Sequence, residues 1–145
     1  MEIDKLTYLI INLCIKIHSK IGPGCYEKVY EEILCYELEN LGIGYKRQLK
    51  LPVIYDGLKL KKGFKLDLII DNKLIIEIKT LFPLPSVYFK QVHTYLSLMN
   101  LKHGMLINFK VNKMKEGIHR VFNNFGGEQL EKDNYIIKLI KAILF

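Results

Sequence analysis

The most apolar part of this sequence carries charged residues, and three of them could act together in chemistry. Asp67, Glu77 and Lys79 stand among isoleucines and leucines in the stretch FKLDLIIDNKLIIEIK, which covers residues 64–79. Two carboxylates that meet in a folded protein can hold a divalent cation, because such cations prefer hard oxygen ligands. The chemistry of the stretch therefore depends on whether the fold brings its acidic residues together.

The apolar pattern of this stretch predicts a β-hairpin, because side chains alternate between the two faces of a strand. A two-residue turn at 71–72 would mix apolar and charged residues on each face, whereas a three-residue loop at 71–73 keeps them apart. Register follows the hydrophobic pattern, so we expect the three-residue loop. It pairs Ile70 with Leu74, Leu68 with Ile76 and Leu66 with Ile78, and it places Phe64, Leu66, Leu68 and Ile70 on one face.

The same register places like charges opposite each other, with Asp67 facing Glu77 and Lys65 facing Lys79. Opposed side chains on one face hold their Cβ atoms about 5 Å apart, and like charges at that distance are destabilising. One carboxyl pKa should rise, and a cation between the two carboxylates would remove the conflict. Oxygen ligands select magnesium, manganese or calcium over zinc. The hairpin alone leaves a second interpretation open, in which diagonal salt bridges join Asp67 to Lys79 and Lys65 to Glu77 without any function.

The remaining pattern predicts helices on either side of these strands. Apolar residues at helical spacing predict a first helix that ends near Lys20 and a second over residues 25–41. The inward residues of the second helix should be Tyr26, Val29, Tyr30, Ile33, Leu34 and Leu38. A third helix is expected over 87–100, with Ser86 able to cap its first turn.

Further strands are expected before and after the hairpin. Residues 45–60 are β-like and contain Asp56-Gly57, a hairpin signal, and residues 105–109 (MLINF) suit another strand. Residues 110–133 are polar and predicted to be irregular, with a turn at 126–127, and residues 135–145 predict a short helix. Without repeats or a low-complexity linker, the simplest account is one α/β or α+β domain over residues 1–145.

Composition limits the class of protein. The chain has 145 residues, a net charge of +7 and three cysteines without a CxxC pair. A basic excess is compatible with a polyanionic partner such as nucleic acid. The odd cysteine count indicates a reducing compartment, and the N-terminus lacks the features of a signal peptide. No apolar run approaches the ~18 residues of a membrane span, so we expect a cytoplasmic protein without a membrane partner.

Two further motifs accompany the acidic strands. Gln91 and Tyr95 form a QxxxY pattern on the third predicted helix, where they share one stripe with Tyr88. Glu27 lies in a GxxExxY pattern that opens the second predicted helix. With Asp67, Glu77 and Lys79 in a D…(D/E)xK arrangement, these motifs resemble the GxxExxY family of the PD-(D/E)XK nuclease-like superfamily. The resemblance covers residues 21–123 and is carried by GCYEKVY (24–30), GFKLDLII (63–70), IIEIK (75–79), QVHTY (91–95), MLINF (105–109) and EGIHRVFN (116–123).

The resemblance implies a restriction-endonuclease-like α-β-β-β-α-β core around a mixed sheet. It implies a nuclease dependent on Mg²⁺ or Mn²⁺, with residues 1–20 an N-terminal helix, 21–123 the core and 124–145 a C-terminal turn and helix. Asp67 and Glu77 would be metal ligands, Glu27 an additional acidic ligand, and Lys79 the partner of the attacking water or scissile phosphate. Gln91 would steady the site or the nucleic-acid backbone. The chain departs from the pattern in having no proline before Asp67.

Two other interpretations remain open at this stage. The chain could be a nucleic-acid-binding or assembly module that keeps the nuclease fold without catalysis, or an oligomeric protein with a salt-bridged sheet. A homodimer is compatible with the nuclease interpretation, because two-fold symmetry would place two sites on one duplex. Candidate phosphate contacts are Lys46, Arg47 and Lys50, then Lys59, Lys61 and Lys62, and later Lys110, Lys113, Lys115 and Arg120, for which a solvated surface is the alternative.

Overall fold

The computed structural model describes residues 1–123, so the predicted turn at 126–127 and the helix at 135–145 lie outside the described residues. Its elements are α1 (Ile3–Ile21), α2 (Glu27–Asn40), β1 (Tyr45–Leu51), β2 (Ile54–Tyr55), β3 (Leu58–Lys59), β4 (Phe64–Ile70), β5 (Leu74–Lys79), α3 (Val87–Met99), β6 (His103–Asn108), a 3-10 helix (Met114–Gly117) and β7 (Ile118–Phe122). The three predicted helices and the predicted hairpin strands are all present.

Within residues 1–123 the main sheet is mixed and has five strands in the order β1-β4-β5-β6-β7. Among these strands only β5 and β6 run parallel, and α3 is the crossover between them; the other neighbours are antiparallel. The order α2-β1-β4-β5-α3-β6 is the expected α-β-β-β-α-β core, with the small β2–β3 hairpin inserted after β1. The structure therefore confirms the predicted fold class.

Helices cover both faces of the sheet and give it two separate hydrophobic cores. One core, under α1 and α2, includes Leu68, Ile70, Leu74, Ile76, Ile78 and Ile107 from the strands. The other, under α3, includes Leu66, Ile69, Ile75, Val92, Tyr95 and Leu106. Burial on both faces explains why β4 and β5 are almost continuously apolar. Of the charged residues on these two strands, Glu77 is the one that is buried.

The second helix corrects two expectations about buried residues. Tyr26 is 84% exposed and Val29 is 39% exposed, whereas Tyr30 and Leu34 are fully buried as predicted. Tyr26 has extended backbone angles and precedes the helix, which begins at Glu27. Because Tyr26 is outside the helix, the helical spacing that placed it inward does not apply to it. Tyr30 stacks on Phe109 with ring centroids 4.0 Å apart.

The end of the described chain corrects a third expectation. Residues 118–122, predicted to be irregular, form strand β7, which pairs antiparallel with β6. Gly117 permits the approach, because a Cβ atom there would lie 1.9 Å from the carbonyl oxygen of Asn108. The lysine-rich segment 110–115 that precedes this strand hides it in the sequence, although Val121 is buried in the sheet.

Local turns mostly agree with the sequence. Asp56 and Gly57 both have positive φ angles, +49° and +78°, which is the geometry of a tight hairpin turn between β2 and β3. Ser86 precedes α3, but its side chain makes no capping hydrogen bond. No helix in the described part of the chain has the length and apolar character needed to cross a membrane.

Candidate functional site

The candidate site lies where strands β4 and β5 separate. Their ladder pairs Ile70 with Leu74, Ile69 with Ile75 and Leu68 with Ile76, and the predicted Leu66–Ile78 pair is not formed. In its place the main-chain N–H of Asp67 donates to Oε1 of Glu77 (2.8 Å), and the N–H of Ile78 donates to Oδ2 of Asp67 (2.8 Å). Each carboxylate thus accepts a hydrogen bond from the opposite strand, and the two acidic residues are held together as the register predicted.

The same point corrects the predicted faces of β4. Leu66 packs in the core under α3, whereas Leu68 packs in the core under α1 and α2. The alternation that should have placed both on one face therefore breaks at Asp67. The neighbouring strand bends at the matching position, because Gln48 lies opposite Asp67 between the pairs Arg47–Leu68 and Leu49–Leu66 and has a φ of +50°. A non-glycine residue in this left-handed region is uncommon and often marks a functional position.

Gln48 connects the acidic pair to helix α2. Its Nε2 donates to Oε1 of Glu31 (2.6 Å) and makes a longer contact of 3.4 Å with Oδ1 of Asp67. Glu31 is only 2% exposed, and Arg47 donates to its Oε2 through both Nη2 (2.8 Å) and Nε (3.2 Å). A buried carboxylate needs such partners, because an unpaired buried charge is strongly destabilising. The network fixes the orientation of Gln48 and, through it, one oxygen of Asp67.

Burial raises the pKa values of both carboxyl groups, and a neighbouring carboxylate adds to each rise: Asp67 acts on Glu77, and Glu31 acts on Asp67. The pKa of Glu77 rises from 4.5 to about 8, first because the side chain is buried and second because Asp67 lies beside it. The carboxylate of Glu27 raises the pKa of Glu77 further, so Glu27 lies within electrostatic range of Glu77. Burial also raises the pKa of Asp67, against the lowering effects of the Ile78 N–H, Lys79 and Gln48. The predicted conflict between the two acids is therefore present.

Lys79 ends strand β5 two residues beyond Glu77. Its Nζ lies 4.2 Å from the centroid of the Tyr88 ring, a cation–π contact with helix α3. Among the ion pairs of residues 1–123, none joins Asp67 to Lys79 or Lys65 to Glu77. The salt-bridged interpretation of the hairpin is therefore wrong. Lys79 lowers the pKa of both carboxyl groups, so its positive charge acts on the acidic pair without a direct contact.

Gln91 lies on the stripe of α3 that faces the site. The residue before it on this stripe, Tyr88, contacts Lys79, and the residue after it is Tyr95. Burial raises the pKa of Tyr95 to about 12, and the negative charges of Glu77 and Asp67 add to this rise. Gln91 is half-buried between these two tyrosines, and its side chain makes no hydrogen bond to another described residue.

Asn108 holds the main chain that follows Lys79 at the end of strand β5. It is buried opposite Lys79 in the β5–β6 ladder, and its Nδ2 donates to the carbonyl oxygen of Leu81 (2.6 Å). Its Oδ1 accepts hydrogen bonds from the N–H groups of Leu81 (3.2 Å) and Lys110 (3.1 Å). One amide side chain thus holds two loops, and Lys79 lies immediately before one of them.

The carboxylates of Asp67 and Glu77 fit a hard divalent cation. Glu77 is buried and Asp67 is half-buried, the charge of Asp67 raises the pKa of Glu77, and Oε2 of Glu77 accepts no hydrogen bond from another described residue. A divalent cation would supply the positive charge that this pair lacks, and carboxylate oxygens are the ligands it prefers. Within residues 1–123, however, no three His, Cys, Asp or Glu side chains are arranged as a ready set of metal ligands. The side chain of Glu27 is near the pair but does not complete such a set.

Three residues of the site were not singled out in the sequence. Glu31 follows Glu27 by one helical turn and so shares its face, a spacing that could have identified it. Gln48 gave no signal, because a left-handed backbone is expected at Asn, Asp or Gly rather than at Gln. Asn108 sits in an apolar strand, where a buried amide needs local partners and thus indicates a structural role.

Comparison with known proteins adds one finding. A family model described as the PD-(D/E)XK nuclease superfamily matches residues 4–121, which is most of the chain. The matched range contains all five predicted site residues, namely Glu27, Asp67, Glu77, Lys79 and Gln91. Neither the curated proteins nor the solved structures contain a significant match to this sequence.

Proposed function

This chain belongs to the PD-(D/E)XK nuclease superfamily, and from that membership we propose that it is a nuclease dependent on Mg²⁺ or Mn²⁺ that hydrolyses phosphodiester bonds in DNA or RNA. The observation that carries the proposal is that each carboxylate accepts a main-chain hydrogen bond from the opposite strand, Glu77 from the N–H of Asp67 and Asp67 from the N–H of Ile78. Lys79 lies at the end of β5, two residues beyond Glu77. Such an arrangement brings a buried carboxylate, a half-buried carboxylate and the ammonium group of Lys79 to the place where β4 and β5 separate.

In this proposal Asp67 and Glu77 hold the divalent cation. When bound, the cation would supply an acidified water molecule and neutralise charge on the phosphate. Glu77 must lose its proton to act as a ligand, and its raised pKa makes that step dependent on pH. Lys79 adds a fixed positive charge beside the carboxylates and orients the scissile phosphate, with the Tyr88 ring limiting where its ammonium group can lie.

Glu27 and Gln91 have supporting roles in the proposal. Glu27 is the first residue of α2, where the helix dipole favours a carboxylate, and it contributes negative charge toward Glu77. It would bind the cation through a water molecule, and Gln91 would contact the nucleic-acid backbone from α3. The motifs at Glu27 and Gln91 also support placing the chain in the GxxExxY family within the superfamily.

A second candidate function is a nucleic-acid-binding module without catalysis. The observation that favours it is that the described residues contain no ready set of three cation ligands. In addition, each carboxylate of the pair already accepts a main-chain hydrogen bond. Such a module would bind nucleic acid in EDTA and would show no turnover when Mn²⁺ is added.

The test combines cleavage and cation binding. Single- and double-stranded DNA and RNA are incubated with the protein and Mn²⁺, using wild type, Glu77→Gln and Lys79→Ala. The matched controls are Glu116→Gln and Lys5→Ala, which remove equal charges from exposed positions. We expect cleavage by wild type and both controls only, and calorimetric Mn²⁺ binding that Asp67→Asn abolishes. Cleavage that survives in both site variants would refute the proposal, and tight nucleic-acid binding without turnover would favour the second candidate.

A further inference from the structure

A basic cleft lies at the base of the β2–β3 hairpin, between the end of β1 and the start of β4. It has a volume of about 470 Å³ and is lined by five lysines, Lys50, Lys59, Lys61, Lys62 and Lys65. We propose that this lysine cleft binds the phosphodiester backbone of a nucleic acid and holds the strand whose cleavage site lies at Asp67 and Glu77. The inference rests on the proposed function and adds a substrate-binding surface to it.

The charges of the lysine cleft are uncompensated within the described residues. None of its five lysines forms an ion pair with a carboxylate of residues 1–123. Lys50 and Lys65 are direct cross-strand partners of β1 and β4. Like charges placed opposite each other on neighbouring strands are destabilising. A polyanion in the cleft would remove this repulsion, which a neutral ligand could not do.

The backbone fixes the shape of the lysine cleft. Gly63 approaches the end of β1 so closely that a Cβ atom there would lie 2.2 Å from the carbonyl oxygen of Leu51. This contact holds the start of β4 against Leu51 and Pro52, which line the cleft together with Phe64 and form an apolar floor in our interpretation. The lysine stems can pack along this apolar floor while their ammonium groups stay in water. The cleft is therefore a formed concave surface with positive charge around it.

The β2–β3 hairpin extends the same surface. Tyr55 and Leu58 are cross-strand partners beside its tight turn, and they are 68% and 64% exposed. Exposed apolar side chains next to lysines suit nucleic acid, because they can contact sugars and bases while the lysines contact phosphates. Charge complementarity thus selects a nucleic acid over an uncharged or basic protein partner.

Distance along β4 connects the lysine cleft to the acidic pair. Phe64 precedes Asp67 by three residues, which corresponds to about 10 Å of extended strand. Successive nucleotides of one DNA strand rise about 3.4 Å, so this distance equals roughly three nucleotide steps. A single backbone could therefore lie in the cleft and place a phosphate at the carboxylates.

The experiment measures binding separately from cleavage. Fluorescence anisotropy of a labelled DNA duplex, and of an RNA duplex of the same sequence, is recorded in EDTA across a salt series. The variants are Lys50→Gln/Lys65→Gln and Lys59→Gln/Lys61→Gln/Lys62→Gln. The charge-matched control is Lys5→Gln/Lys16→Gln/Lys20→Gln on α1, and thermal denaturation verifies that each variant is folded.

The expected result is a change in salt dependence. Each lysine that contacts a phosphate should reduce the slope of log K against log salt by about 1 when it is removed. The triple variant should therefore lose about 2 to 3 from the slope and the double variant about 1 to 2, while the control keeps the wild-type slope. The DNA and RNA arms show which nucleic acid supplies the backbone.

Two results would overturn the lysine cleft as a binding site: slopes unchanged in both cleft variants, or an equal loss in the α1 control. The outcome is independent of catalysis, because no cation is present. If the slopes change but Mn²⁺-dependent cleavage is never found, the binding inference stands and the proposed nuclease activity fails. If cleavage is found while the slopes do not change, the nuclease proposal stands and the cleft is not its binding surface.

Discussion

Replacing Glu77 by glutamine should stabilise the cation-free protein while it abolishes cleavage. Glutamine has the shape of a protonated glutamic acid and keeps an oxygen that can accept the hydrogen bond from the Asp67 N–H. It carries no charge, so it removes both the burial cost and the repulsion from Asp67 that raise the pKa of Glu77. A site that holds a cation should be destabilising without it, and this substitution tests that property directly.

The magnitude follows from the pKa of Glu77 in the two states. The pKa of Glu77 is about 8 in the folded protein, and its ordinary value of 4.5 applies to the unfolded chain. The folded state therefore binds the proton more tightly than the unfolded state does. The stability of the wild type therefore falls as the pH rises from about 4.5 to about 8. At pH 7 the loss is about 3 kcal/mol, because each pH step between the two values costs about 1.4 kcal/mol. Glu77→Gln should avoid this loss and unfold roughly 10 °C higher at pH 7.

The assay is thermal and urea unfolding in EDTA at pH 4.5, 7 and 8, for wild type, Glu77→Gln and the exposed control Glu116→Gln. We expect the difference between Glu77→Gln and wild type to be near zero at pH 4.5 and to grow with pH. Added Mn²⁺ should stabilise wild type and leave Glu77→Gln unchanged. A Glu77→Gln variant that is less stable than wild type at pH 8 in EDTA would refute the reasoning. A stability difference that does not depend on pH would refute it as well.

Three further changes test the surroundings of the acidic pair. Gln48→Ala should lower the free energy of unfolding by about 1–3 kcal/mol, because it leaves Glu31 short of a hydrogen-bond donor. Gln48→Gly should be about 1 kcal/mol more stable than Gln48→Ala, because glycine accepts the positive φ without strain. Urea unfolding measures both variants, and equal stabilities would contradict backbone strain at Gln48. Lys79→Ala should lower the rate of cleavage at least a hundredfold. Mn²⁺ binding measured by calorimetry should persist, because the lysine is not a ligand of the cation. Loss of cation binding would contradict this role of Lys79. Asn108→Ala should lower the free energy of unfolding by about 2–3 kcal/mol, because the Asn108 amide makes buried hydrogen bonds to the main chain of Leu81. A loss below about 1 kcal/mol in urea unfolding would show that water replaces the side chain.

Much of the fold followed from local patterns in the sequence. The hairpin loop and the Leu68–Ile76 register were predicted from the alternation of apolar residues, and the β2–β3 turn was predicted from Asp56-Gly57. These predictions succeed because local chemistry decides register and turn type. Strand β7 was missed because its pairing with β6 depends on Gly117 and on a long-range approach that no local pattern displays.

The sequence indicated the meeting of Asp67 and Glu77, but not the involvement of Glu31, Gln48 and Asn108 or the geometry that joins them. The predicted register brought Asp67 and Glu77 together. The hydrogen bonds from the main-chain N–H groups of Asp67 and Ile78 to the two carboxylates, however, form only because the strands separate. Where the strands separate, Leu66 and Leu68 lie on opposite faces of the sheet, whereas regular alternation of side chains predicts that they share one face. The left-handed angle at Gln48 is likewise imposed by the surrounding structure rather than by the residue itself. The roles of Glu27 and Gln91 remain predictions.

Strand β1 forms one edge of the five-stranded sheet, and no strand of residues 1–123 lies beyond it. An open edge offers its main-chain groups to other molecules and so invites aggregation. The sequence of β1, YKRQLKL, carries three basic residues, and its backbone bends at Gln48. Both features oppose pairing with the edge of another molecule, because approaching copies would repel each other and meet an irregular ladder. The basic character of this strand therefore disfavours pairing between the β1 edges of two copies, whatever else the strand binds.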